Sequence, residues 1–271
     1  MARRNGIAKA MGDYYLFLDS DDYWDSDLLE TINKAIEDYG CDMVIFNYKK
    51  ITPIDIYRNK PVFENGALFD KENKEQIFEE IIKGSRLNNL WTKAVKCSIV
   101  DYEDYSKYKR VKNAEDLLQS LPLLSKAKRI MYLDKTMYNY RMNPTSITHS
   151  FNIQSLNDIT MVRGVVLNYM ELLGMNEIKY LKLFYQNYVT SVLTYLFDLS
   201  NSLLPTNEKK YIMNQIQNIS LYKNAFPYLE GSSFTWMQKL QLYLFKKKFY
   251  KLLIRYEKVI KFIKLRFMPL L

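Results

Sequence analysis

Three carboxylates, Asp19, Asp21 and Asp22, stand within four residues, directly after the apolar run Tyr14 to Leu18. Like charges so close together repel one another and need water or a cation to neutralise them. A hard divalent ion, its shell completed by phosphate oxygens, would suit the trio. The plainer reading is a solvated turn that caps a helix, and a D-x-D by itself does not decide between the two. A second acidic pair, Glu115-Asp116, heads an apolar run of helical character. Carboxylates are common there, because the helix dipole favours negative charge at the first turn.

The elements that must position these groups follow from the apolar pattern. Tyr14 to Leu18 has strand length and no polar alternation, which suits a strand buried on both faces of a parallel sheet. Asp25-Ser26-Asp27 offers caps for an amphipathic helix through Tyr39, stopped by Gly40, and Asp42 to Tyr48 is a second buried strand. Strand, acidic loop, helix, strand is the grammar of an α/β domain. Further on, Lys71 to Lys83 reads as a helix, Asn113 as the cap of the Glu115 helix, and Ile130–Leu133 and Met137–Arg141 as two short strands. After Phe151 the chain is helical in four stretches, about 153–173, 177–199, 207–219 and 236–267. The organisation expected is an α/β unit over 1–150 and a helical region over 151–271.

Composition removes several chemistries. His149 is the sole histidine, which excludes Ser-His-Asp triads and two-histidine zinc sites within the chain. Two cysteines, Cys41 and Cys97, make no disulfide scaffold, and a reducing compartment fits. No glycine-rich phosphate loop occurs. The start lacks the apolar segment of a secretory signal, and the longest apolar run, Leu183 to Phe197, is too short to span a bilayer.

ARRNGIAKAMGDYYLFLDSDDYW resembles the signature of family 2 glycosyltransferases, which have the GT-A fold. LNNLWTKAV is similar to that family's segment near the acceptor. KNAEDLLQSLPLLSKAKRIMYLDKTMYNYRMNPTSITHS is similar to a later block in which an E-D pair heads a helix and a Y-Y-R segment follows. Three blocks in order over residues 2–150 are more specific than any one alone. Two departures stand beside them. The chain begins at the helix before the acidic strand, so the family's leading nucleotide-binding strands are expected to be missing. The family's Asn also falls on Arg4. The fold expected is a truncated GT-A-like, Rossmann-like open sheet followed by helices.

The resemblance implies an inverting transfer from a nucleotide-diphosphate sugar to a glycan or lipid-linked acceptor in cell-envelope polysaccharide synthesis. Asp21 and Asp22 would hold Mn²⁺ or Mg²⁺, with Arg3, Asp19 and Asp21 on the donor. Asp116 would be the base, Glu115 its neighbour in position, and Trp91 a stacking face for the acceptor sugar. Trp91 reads equally as a core residue, His149 as an exposed loop residue, and Arg141 as a diphosphate contact or a surface ion pair. The other class of function is non-catalytic: a membrane-associated partner or subunit of another transferase.

Charge is partitioned. Residues 1–150 are net neutral, whereas residues 151–271 carry the whole excess of +9. Lys239 to Arg266 holds ten basic residues and one acid, Glu257. Lys247, Lys251, Arg255, Lys258 and Lys261 recur at helical spacing, with Phe, Leu and Ile on the remaining faces. An anionic membrane surface on the cytoplasmic side is the partner that fits first. Docking on the front domain comes second. Nucleic acid comes last, because no recognised binding motif accompanies the charge.

Overall fold

The computed structural model describes residues 2–84, 86–100, 108, 111–142 and 151–267. The chain divides into two compact units, one of residues 1–149 with 165–174, the other of 150–164 with 175–271.

The first unit is built on a seven-stranded mixed sheet. Its strands are β1 (Tyr14–Leu16), β2 (Tyr23–Trp24), β3 (Met43–Ile51), β4 (Ile56–Arg58), β5 (Ala67–Phe69), β6 (Lys93–Lys96) and β7 (Ile130–Arg141). The order is β1-β6-β3-β7-β2, with β4 paired to β3 and β5 to β7. β3 and β7 run parallel; the other pairs are antiparallel. Val44, Ile45 and Phe46 of the central β3 are buried, which explains their uninterrupted apolar run. The α1 helix (Ala2–Lys9) precedes β1. The α2 helix (Leu28–Tyr39) buries Leu28, Ile32 and Ala35 and ends at Gly40, whose φ of 60° is the left-handed value glycine adopts without cost. The α3 helix (Glu75–Ile82) and α4 (Glu115–Lys126) bury apolar stripes of their own.

Three expectations change here. Tyr14 to Leu18 is not a strand of a parallel ladder: β1 is three residues long, pairs antiparallel with β6, and of the run only Tyr15 and Phe17 are buried. The two short strands expected over 130–141 are one strand. Its pairing with β3 jumps from Phe46↔Leu133 to Asn47↔Thr136, so Asp134 and Lys135 bulge out and break the apolar alternation. The residue before α4 is Ala114, at φ 61°, one position later than the Asn113 expected there.

The second unit is helical. It takes residues 155–164 of α5 (Ser155–Leu172), then α6 (Ile178–Asn201), α7 (Thr206–Ile216), α8 (Ser220–Asn224), α9 (Trp236–Lys246) and α10 (Tyr250–Phe267). Phe184, Tyr188, Val192, Tyr195 and Leu199 of α6 form a buried stripe with helical spacing. The single helix expected over 236–267 is two, separated at Lys248 with φ 60°. The turn lets Phe245 of α9 and Leu253 and Ile254 of α10 all be buried. Among the described residues no helix is long and apolar enough to cross a membrane.

Candidate active site

β1 delivers the chain to a tight turn in which the Asp22 N–H donates to the Asp19 carbonyl at 3.1 Å. The three carboxylates then part company. Asp22 turns inward and is 7% exposed. Its Oδ2 accepts from the Tyr138 hydroxyl at 2.7 Å and its Oδ1 from the Arg141 backbone N–H at 2.8 Å. The same Tyr138 oxygen accepts the Asp19 N–H at 3.3 Å. Arg141 also donates its Nε to the Asp21 carbonyl. The end of β7 therefore clamps the acidic turn from one side. Asp19 is left half-buried and Asp21 exposed.

Burial raises the Asp22 pKa above the usual carboxylate range, while the bonds from Arg141 and Tyr138 pull it back. Burial, then the hydrogen bond to Asp22, raises the Tyr138 hydroxyl. Burial raises Tyr140 too, followed by the charges of Asp22, Asp21 and Asp19. These shifts mark a tyrosine-walled, anionic turn.

Trp91 stands behind that wall. Its ring centre lies 4.4 Å from that of Tyr138, 5.9 Å from that of Tyr140 in near-parallel stacking, and 4.7 Å from that of Tyr48 in an edge-on arrangement. At 8% exposure it offers little ring face to a sugar, and its visible work is to join the acidic turn to the next segment.

That segment carries Asp116. Located in the first turn of α4, Asp116 accepts the Leu90 N–H at 3.4 Å through Oδ2; Glu115 beside it is exposed. Residues 87–90 are themselves stapled. Lys93, wholly buried on β6, donates Nζ to the Leu87 carbonyl at 2.6 Å and to the Asn89 carbonyl. The Ser120 hydroxyl of α4 holds the Asn88 carbonyl at 3.0 Å. Burial lowers the Lys93 pKa to about 7, and the Asp116 charge opposes that shift. A chain of contacts thus runs from Asp22 through Tyr138 and Trp91 to Leu90 and Asp116.

Two residues here were not singled out from sequence. Lys93 carried a weak signal: a lysine set inside the apolar stretch of LNNLWTKAV. Asp25, read as a cap, instead accepts from Asn139 Nδ2 at 2.7 Å and pairs with Lys49 at 3.4 Å, tying the loop after the acidic turn to β7 and β3. Arg3 lies on the α1 backbone, and its side chain falls outside the described residues, as does His149. Among the described residues no three acidic, histidine or cysteine side chains converge as an ion site.

Residues 1–108 match the family model described as Glycosyl transferase family 2. Glycosyltransferase GlyA of Streptococcus pneumoniae is 29% identical over 160 residues, covering 54% of this chain and 21% of that protein. The uncharacterized glycosyltransferase EpsJ of Bacillus subtilis is 27% identical over 148 residues, covering 54% of this chain and 43% of that one. The chain spans less than half the length of these relatives. Residues 1–349 of S. aureus TarS, solved in complex with UDP-GlcNAc, share the fold with a TM-score of 0.59 at 17% identity, covering 96% of this chain and 70% of that one.

Proposed function

We propose, from the match of residues 1–108 to glycosyl transferase family 2, that the chain serves an inverting sugar transfer from a nucleotide-diphosphate sugar to a hydroxyl on a glycan or lipid-linked acceptor of the cell envelope. The observation that carries this reading is the clamped acidic turn, which buries Asp22 and holds the Asp21 backbone carbonyl on the Arg141 guanidinium. The UDP-GlcNAc of the TarS structure supports a nucleotide-sugar donor.

Both Asp22 oxygens are hydrogen-bonded within the fold, whereas Asp21 is exposed at the turn. An exposed carboxylate of this kind suits Mg²⁺ or Mn²⁺ bound mainly through substrate phosphate oxygens. Asp21, helped by Asp19, would hold the ion, which when bound neutralises charge on the leaving diphosphate. Asp22 and Tyr138 fix the turn so that these carboxylates need no rearrangement. Asp116, oriented by the Leu90 N–H, takes the proton from the acceptor hydroxyl as it attacks the anomeric carbon, and Glu115 orients the acceptor. Trp91 and Lys93 hold the two halves of the site in register.

The rear helices support attachment to an anionic membrane surface on its inner face. Trp236, Leu240 and Tyr243 of α9 and Leu252, Val259, Phe262 and Leu265 of α10 are exposed among lysines and arginines. Each basic residue near such a surface contributes roughly 1 kcal/mol. Transfer is tested with labelled nucleotide sugars and membrane-extracted acceptors, in Mn²⁺ and in chelator. Metal-dependent transfer that Asp116→Asn lowers roughly 10²–10⁴-fold, with donor affinity kept, is the expected result. Transfer unaffected by chelator, or equal in the variant, overturns it.

A further inference from the structure

A cavity of about 280 Å³ opens in the second unit between α6, α9 and α10. Leu193 and Phe197 of α6, Gln241 of α9, and Glu257, Ile260 and Lys264 of α10 form most of its wall. Glu257 is 2% exposed, and its Oε1 has no hydrogen-bond partner. Gln241 leans its amide on the same carboxyl, but its Nε2 is also given to the Leu193 carbonyl at 2.7 Å. The nearby Tyr256 hydroxyl is spent on the Met237 carbonyl. A buried carboxyl oxygen with no donor is costly, and the cavity places open space beside it. Burial pushes Glu257 up to about 7.

The outer end of the cavity has the opposite character. Lys264 lies two helical turns beyond Glu257 on the same face of α10. Its ammonium stands 4.9 Å from the centre of the Phe197 ring. Lys261 and Lys264 are both within electrostatic reach of Asp198, the residue after Phe197. Between the two ends the wall is mixed, with Leu193, Phe197, Met237 and Ile260 beside Thr194 and Gln238.

We propose that this cavity binds a small zwitterion of the phosphoethanolamine type, with its ammonium on Glu257 and its phosphate against Lys264. An ammonium brings three donors to the Glu257 oxygen that has none. Leu193, Phe197 and Ile260 cover the methylenes between the charged ends. Inorganic phosphate alone meets repulsion at Glu257, and a simple amine makes no contact with Lys264. The zwitterion can come from a phospholipid headgroup or from a soluble molecule. Exposed Phe262, Ile263 and Leu265 on the last turns of α10 suit the first source.

The full chain is titrated calorimetrically with phosphoethanolamine, ethanolamine and inorganic phosphate. Saturable binding is expected for phosphoethanolamine, weaker binding for ethanolamine and weakest for phosphate. Glu257→Gln should weaken phosphoethanolamine roughly tenfold, the worth of one charge-assisted hydrogen bond. Lys264→Gln, at an exposed position, should weaken phosphoethanolamine without weakening ethanolamine. Phosphate binding as tightly as phosphoethanolamine, no saturable binding, or full affinity in a folded Glu257→Gln variant each overturns the proposal. Co-sedimentation with vesicles of phosphatidylethanolamine or phosphatidylcholine, at equal phosphatidylglycerol content, separates the sources. Preference for the ethanolamine vesicles assigns the lipid; equal retention, with the soluble zwitterion still bound, assigns a free molecule.

Discussion

Asp21 and Asp22 are chemically identical neighbours with opposite work to do. The exposed Asp21 has its carboxylate available for a ligand, whereas both oxygens of Asp22 are spent on β7. Asp21→Ala should therefore leave urea stability within about 0.5 kcal/mol, as surface substitutions do, while abolishing transfer and weakening the donor. Asp22→Ala should cost about 1–3 kcal/mol by leaving Tyr138 O–H and the Arg141 N–H without their acceptor. Equal stability losses in the two variants would refute this division. Sequence could show that three carboxylates share one turn, and the resemblance could assign them a donor. It could not say which one turns inward, because that depends on Tyr138 and Arg141 arriving from about 120 residues away. Lys93 leaves only a weak signal for a related reason. Its partners are backbone carbonyls, Leu87 and Asn89, which leave no mark on residue type. Lys93→Met should strand both carbonyls, at about 1–3 kcal/mol each, and should lower turnover through the displaced Leu90 N–H. Chemical denaturation and kcat measured together would check it; unchanged stability would remove Lys93 from the scaffold.

At the level of elements, local signals suffice where the local chain decides. The α2 helix ends at Gly40 because the left-handed residue there is a glycine, and β3 reads as buried because it lies between β6 and β7. The misreadings fall where tertiary pairing overrides pattern. The bulge at Asp134 and Lys135 interrupts β7 with charge, yet Lys135 reaches Asp27 at 2.7 Å and Asp134 accepts from Asn47 at 3.0 Å, so the strand continues. The break between α9 and α10 has no glycine or proline to announce it; Lys248 takes the left-handed conformation so that apolar residues on both sides are buried. A lysine pays for that conformation with roughly 1 kcal/mol relative to glycine. Lys248→Gly should accordingly raise the thermal midpoint rather than lower it. A lower midpoint would mean that the two helices are continuous in solution.

For the molecule as a whole, the two units carry buried ionisable groups that respond to pH in opposite senses. Glu257 in the second unit is raised from 4.5 to about 7. Between these values the folded state holds a proton that the unfolded state has released, so stability falls as pH rises through that window. The loss is as much as about 3 kcal/mol at 1.36 kcal/mol per pKa unit. Lys93 in the first unit is lowered from 10.5 to about 7. There the unfolded state holds the extra proton, so stability rises with pH between these values, by an amount of the same order. Trp24 and Trp91 report on the first unit and Trp236 on the second. Urea unfolding of Trp236→Phe, which keeps only the first pair, should show a midpoint that climbs from pH 7 to pH 9. A Trp24→Phe, Trp91→Phe variant, read through Trp236, should show a midpoint that falls from pH 5 to pH 7, and Glu257→Gln should flatten that fall. Parallel midpoints from both sets of reporters would mean that the units unfold as one. A second-unit midpoint that stays sloped after Glu257→Gln would move the titrating group elsewhere.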